Sequence, residues 1–243
     1  MSISVNNITI HPKRIAKILF GTIIVLVFLN AIAVYLRLFP DRYPIFGSIH
    51  KFFVDMFIGA FTLNAEVSVP TCFSTLMLAT TSILFFVIAT QKRKETDRFK
   101  VHWTVLSFTT LLFSIDEIAG FHEQLSKLFK NFPNIKGLFY FKWVIPGLVF
   151  VFLFGFAYFI FFLHLEKKFK VLFLLSAGLY FGGALGLEMI GSLFASDNGL
   201  IYWVISSIEE ILELLGTALL IYSLLLYLEN YLPQLNFSID SNS

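Results

Sequence analysis

Three carboxylates, Glu209, Glu210 and Glu213, stand inside "SSIEEILELLGTALL", a run that otherwise reads as lipid-soluble. A second group, Asp116, Glu117, His122 and Glu123, lies in "FSIDEIAGFHEQL", and a single acid, Glu188, lies in "LEMIG". Carboxylates joined by one imidazole make a hard, oxygen-rich donor set, suited to Mg, Ca, Mn or Fe, or to Zn with mixed ligands. An ionised acid in mid-bilayer costs roughly 2.5–3.5 kcal/mol on insertion scales. Protonation, pairing with a cation or a bound divalent metal ion would remove that cost. Pairing is poorly supplied: His122, Lys142, Arg37 and Lys51 are the nearby cations, and none falls deep in an apolar run. The expected metal ligands are therefore Asp116, Glu117, His122, Glu188, Glu209 and Glu213. Glu123 and Glu210 are the expected catalytic groups, and Glu66 is a further candidate ligand.

Helices must bring these residues together, and the composition says which kind. Of 243 residues 57% are hydrophobic and only 14% charged, where a soluble domain carries about a quarter. Apolar runs of about twenty residues, each able to cross a hydrocarbon core of about 30 Å, recur at 15–39, 72–90, 101–120, 143–165, 171–195 and 201–228. The expectation is an all-α polytopic membrane helix bundle of about six transmembrane helices. The segment "FGSIHKFFVDMFIGAFTLNAEVSVP" mixes Lys51, Asp55 and Glu66 with aromatics, and reads as an amphipathic helix along the outer interface. Residues 13–228 form one membrane domain, with tails at 1–12 and 229–243. Basic residues crowd the N-terminal flank, the 91–100 loop and the 166–170 loop, so both termini are expected to be cytoplasmic. The acids near or within spans then share one depth, in the outer half of the bilayer.

At about 100° per residue, Glu209, Glu210 and Glu213 share a sector with Ser206, Gly216 and Thr217. Asp116, Gly120 and Glu123 share another, and Ala184, Glu188, Gly191 and Ser192 a third. Such small or polar stripes face the bundle interior rather than lipid. A purely structural polar network, closed by Ser192, Ser206, Thr217 and Tyr hydroxyls, competes with the metal reading. A standard di-iron centre lacks its Glu-x-x-His pairs, and His11, His50, His102 and His164 are too scattered for a three-histidine zinc site. Cys72, the only cysteine, reads as a small buried hydrophobe. No basic block with interleaved aromatics points to nucleic acid.

Taken together, "FTLNAEVSVPTCFSTLML", "FSIDEIAGFHEQL", "LEMIG" and "EEILELLG" resemble a group of uncharacterised bacterial multi-pass membrane proteins. The resemblance implies a bacterial plasma-membrane location. It also implies that Glu66, Asp116, Glu117, His122, Glu123, Glu188, Glu209, Glu210 and Glu213 are signature positions, and it carries no activity. The functional expectation is a carboxylate-rich metal site in the outer half of the bilayer, serving an enzyme that acts on a lipid or other hydrophobic substrate. A proton- or cation-coupled transporter and a structural subunit of a membrane complex are the alternatives.

Overall fold

The computed structural model describes residues 11–43, 46–128, 137–197 and 199–231; the side chains of Glu123, Lys127 and Leu128 lie outside that description, as do most of both expected tails. Among the described residues the architecture is all-helical. The chain forms α1 (Pro12–Leu38), α2 (Gly47–Phe61), α3 (Val69–Lys94), α4 (Lys100–Ala119), α5 (Phe121–Leu128) and α6 (Val144–His164). It continues with α7 (Lys167–Phe181), a π-helical segment (Gly182–Leu187), α8 (Glu188–Gly191) and α9 (Leu200–Tyr231).

Local chemistry explains the boundaries. Pro12 opens α1, where its missing N–H is no loss. Ser68 caps α3, its Oγ accepting the Thr71 N–H at 3.2 Å, with Pro70 in the first turn. Gly120 stops α4 in the left-handed region at φ +57°, and its N–H reaches the Asp116 carbonyl at 2.8 Å.

Five helical stretches are long and apolar enough to cross a membrane: α1, α3, α6, the run Lys167–Gly191 and α9. The sixth expected span, α4, has 20 residues, about 30 Å of helix. Lys100, Asp116 and Glu117 leave it less apolar than the other five. α2, with 15 residues, is too short to span. It exposes Ile49, Phe52, Phe53 and Met56 along one face, as an interfacial helix does.

Side-chain pairs set the directions. Ser82 and Ser107 exchange hydroxyl-to-carbonyl bonds of 2.8 and 2.9 Å, and Ser114 Oγ donates to the Thr75 carbonyl at 3.0 Å. α3 and α4 are thus antiparallel. Asn30 of α1 donates to Ser207 of α9 at 2.9 Å and accepts the Leu63 N–H at 2.9 Å. Arg37 lies 4.4 Å from the centre of the Trp203 ring. α1 therefore runs antiparallel to α9, and the start of α1 and the end of α9 share one end of the bundle.

That end also receives the α3–α4 and α6–α7 connections, and so gathers the basic segments Lys13–Lys17, Lys92–Lys100 and Lys167–Lys170. It is closed by an aromatic core of Phe85, Phe99, Trp103, Phe161, Phe169 and Tyr227. His102 and His164 pack into this core against Phe161 and Phe99, far in sequence and in space from the acids. Cys72 departs from its expected place. It is exposed, because α3 turns Thr71 and Ser74 inward at that level.

Candidate functional site

The opposite end of the bundle is hollow. A cavity of about 640 Å³ is lined by Asp116, Glu117, His122, Glu188, Glu209, Glu210 and Glu213 together. All six expected metal ligands reach it, with one of the two expected catalytic acids. No Lys or Arg appears among its described lining residues.

Four elements place these groups. α9 carries three of the acids, and it comes so close to the α7–α8 run that only glycine fits at two points. A Cβ on Gly216 would lie 2.7 Å from the Tyr180 nitrogen and 2.8 Å from the Ser176 oxygen; one on Gly183 would lie 2.7 Å from the Glu209 oxygen. Backbones this near leave the α9 acids directly beside the wall formed by Ala184, Leu185 and Glu188. The stripe read from the sequence points inward as expected. Ser206 and Thr217 are buried at 3% and 2% exposure, and the three glutamates between them face the cavity half-buried.

The π-helical segment Gly182–Leu187 ends at Glu188. A π turn accommodates one more residue than an α turn, so it changes the face on which the following side chain emerges. Glu188 accepts a hydrogen bond of 3.1 Å from the Trp143 indole N–H, and it lines the cavity together with Glu209.

Gly120 interrupts the helical face expected to join Asp116 to Glu123. In its place the chain turns and starts α5, and Asp116 closes the turn. Asp116 Oδ1 accepts the His122 N–H at 2.9 Å, and Oδ2 lies 2.7 Å from His122 Nδ1. With the carboxylate accepting, the proton sits on Nδ1 and the basic lone pair on Nε2. Both side chains are about one-third exposed, at 35% and 30%. The His122 ring stands 4.9 Å from Trp143, edge to face. Trp143 thus links the imidazole to Glu188.

Glu66 does not line the cavity. Its Oε1 lies 3.1 Å from where a Cβ on Gly120 would be, so it sits over the end of α4. The side chain of Glu123 lies outside the described residues. Among the described residues, no three His, Cys, Asp or Glu side chains are already arranged to hold one metal ion. Ser192 and Ser206, the hydroxyls that the structural alternative would use to brace the acids, are buried with no hydrogen-bond partner among the described residues.

Among the lining residues that the sequence reading did not single out are Asn64, Trp143, Tyr180, Tyr202 and Trp203. Trp143, Tyr202 and Trp203 stand near helix ends, where interfacial aromatic belts also lie, so residue type and position do not separate a belt from a site. Their closeness in depth to the acids was the available signal. Asn64 and Tyr180 had none.

Residues 19–228 match a family described as Domain of unknown function (DUF8692), so the chain belongs to that family. No curated protein and no solved structure matches it.

Proposed function

For a member of that family, we propose that the carboxylate chamber is the reaction site of a membrane-embedded enzyme acting on a hydrophobic substrate. The observation that carries this reading is the convergence of six acids and one histidine from α4, α5, α8 and α9 on one cavity lined by no Lys or Arg among its described residues. Its volume is that of a small-molecule site, typically about 300–1,000 Å³.

The Asp116–His122 pair supplies acid–base chemistry. Asp116 fixes the ring and its tautomer, and His122 takes a proton through Nε2 from water or a substrate hydroxyl. Trp143 holds Glu188 and shields one face of the imidazole. Glu209, Glu210, Glu213 and Glu117 form the electronegative wall, and a divalent cation is the partner we assign to it. Such a cation would lower the pKa of bound water and polarise a carbonyl oxygen. Loading requires the glutamates to swing toward one another by side-chain rotation, as their present spread holds no ready-made ligand array. With Lys-rich segments at the far end, the positive-inside rule puts the chamber at the outer face.

A transport reading has less support. Phe113, Phe150 and Phe181 line the inner edge of the chamber, and the space beyond them is apolar, so no polar path continues toward the basic end.

The test uses the whole chain purified in detergent. Thermal stability is measured against Mn, Zn and Ca ions, and long-chain esters are incubated with the protein and followed by mass spectrometry. Stabilisation by one of the ions, lost in Glu209→Gln/Glu213→Gln, and turnover lost in His122→Ala are expected. Folded wild-type protein that responds to none of the ions and turns over no substrate would overturn the proposal.

A further inference from the structure

A second cavity, of about 550 Å³, lies immediately beyond the chamber, toward the basic end. The two share Phe113, Phe150, Val151, Tyr180 and Phe181 as a common wall. The second is walled almost wholly by Phe, Leu and other apolar groups of α3, α4, α6, α7 and α9. α6 lines it from Phe150 to Phe162, about 18 Å of helix, against about 15 Å of hydrocarbon in one leaflet. Five of its lining residues are exposed: Phe150, Gly155 and Phe159 of α6, and Leu174 and Ala177 of α7. The cavity therefore opens sideways, on the surface that faces lipid, between α6 and α7.

We propose that these two spaces form one binding site for a single-chain amphiphile drawn laterally from the membrane, its aliphatic tail in the apolar cavity and its head in the carboxylate chamber. This rests on the chamber being a substrate site, and it names the substrate class. Adjacency across the shared aromatic wall sets the order of head and tail. Charge selects the head: with no cation bound, a wall of carboxylates accepts hydrogen bonds from a hydroxyl or amine and repels a bare phosphate, so the labelling is done with divalent cations chelated. Tyr180 stands at the junction, its ring stacked on Phe113 at 6.0 Å, where head meets tail.

Small residues at the opening give a way to close it without touching the chamber. A Cβ on Gly155 would meet nothing within 4 Å, and Ala177 is likewise exposed. The experiment places the full chain in phospholipid nanodiscs with a long-chain alcohol carrying a diazirine along its tail. Light-induced adducts are then mapped by mass spectrometry. Adducts on the cavity residues Tyr158 and Phe173 are expected to saturate with probe, and to fall several-fold in Gly155→Phe/Ala177→Phe. Phe152 and Phe156, 75% and 79% exposed on the outer face of α6, report simple contact with lipid and should label equally in both proteins. The matching phosphate monoester should label the cavity several-fold less. Cavity labelling that never saturates, or that is unchanged in the plugged variant, would overturn the proposal; equal labelling by the phosphate ester would overturn its head-group assignment. The cation response of the wild-type protein separates the two readings. If it is present while wild-type cavity labelling never saturates, the tail site alone is wrong; if both are missing, the chamber reading falls as well.

Discussion

The two ends of this bundle solve opposite problems. At the basic end, Trp103, Phe161, Phe169 and Tyr227 are packed tightly, and the charges stand outside the packing in water-facing connections. Lys92, for example, bonds Glu95 at 2.9 Å on the surface. At the acid end the packing stops short, a cavity of about 640 Å³ remains, and the charged groups point into it. A helix bundle that needed only to be stable would place its acids as the basic end does its lysines. One end holds the fold together; the other is kept open at a cost in stability.

That contrast makes opposite predictions for the two ends. Trp103→Ala removes the largest fully buried side chain of the closed end and should cost about 3–5 kcal/mol, read as a fall in the thermal midpoint in detergent. Gly216→Leu drives a side chain into the Ser176 and Tyr180 backbone and should cost about 1–3 kcal/mol or more. It should also part α9 from α7, so the same variant loses the cation response of the chamber. Glu213→Gln should act with the reverse sign. It removes a carboxylate crowded by like groups and should stabilise the metal-free protein by about 1 kcal/mol, a rise of about 2–4 °C in midpoint, while weakening the response to added cation. A fall in midpoint comparable to that of Trp103→Ala would mean that the chamber is structural and would erase the contrast.

The smallest effect belongs to Glu95→Gln. The Lys92 hydrogen bond lowers the Glu95 pKa below its ordinary value, against a smaller opposing effect of burial. A lowered folded-state pKa stabilises above the unfolded value and is lost as pH falls through the folded one. The substitution should therefore cost under about 1 kcal/mol at neutral pH and nothing in acid. Urea or thermal melts at both pH values would check it.

Much of this was legible in the residues. Helical periodicity and the length of apolar runs located every long helix to within a few positions, because a bilayer leaves a backbone few alternatives to helices. The inward direction of Glu209, Glu210 and Glu213 followed from their shared sector with Ser206, Gly216 and Thr217. Cys72 was misread, since one residue between two buried neighbours turns outward on a helix even in a largely apolar segment. The Asp116–His122 pairing was invisible because it depends on the left-handed turn at Gly120, which ends the helical face that the spacing implied. Glu188 lines the same chamber as the α9 acids, while the π-helical segment that sets its direction left no periodicity to read.

By itself the sequence determined the helices, their basic and acidic ends, and the depth at which the carboxylates gather. These depend on hydrophobicity and on a rise per residue that any helix shares. Tertiary structure alone decided that the acids enclose a cavity rather than pack shut, that His122 turns to Asp116, and that an apolar cavity lies against the chamber across a shared aromatic wall. Those depend on how near two backbones come at Gly183 and Gly216, and on α6 standing off from α7. Distances between helices are written in no single stretch of chain.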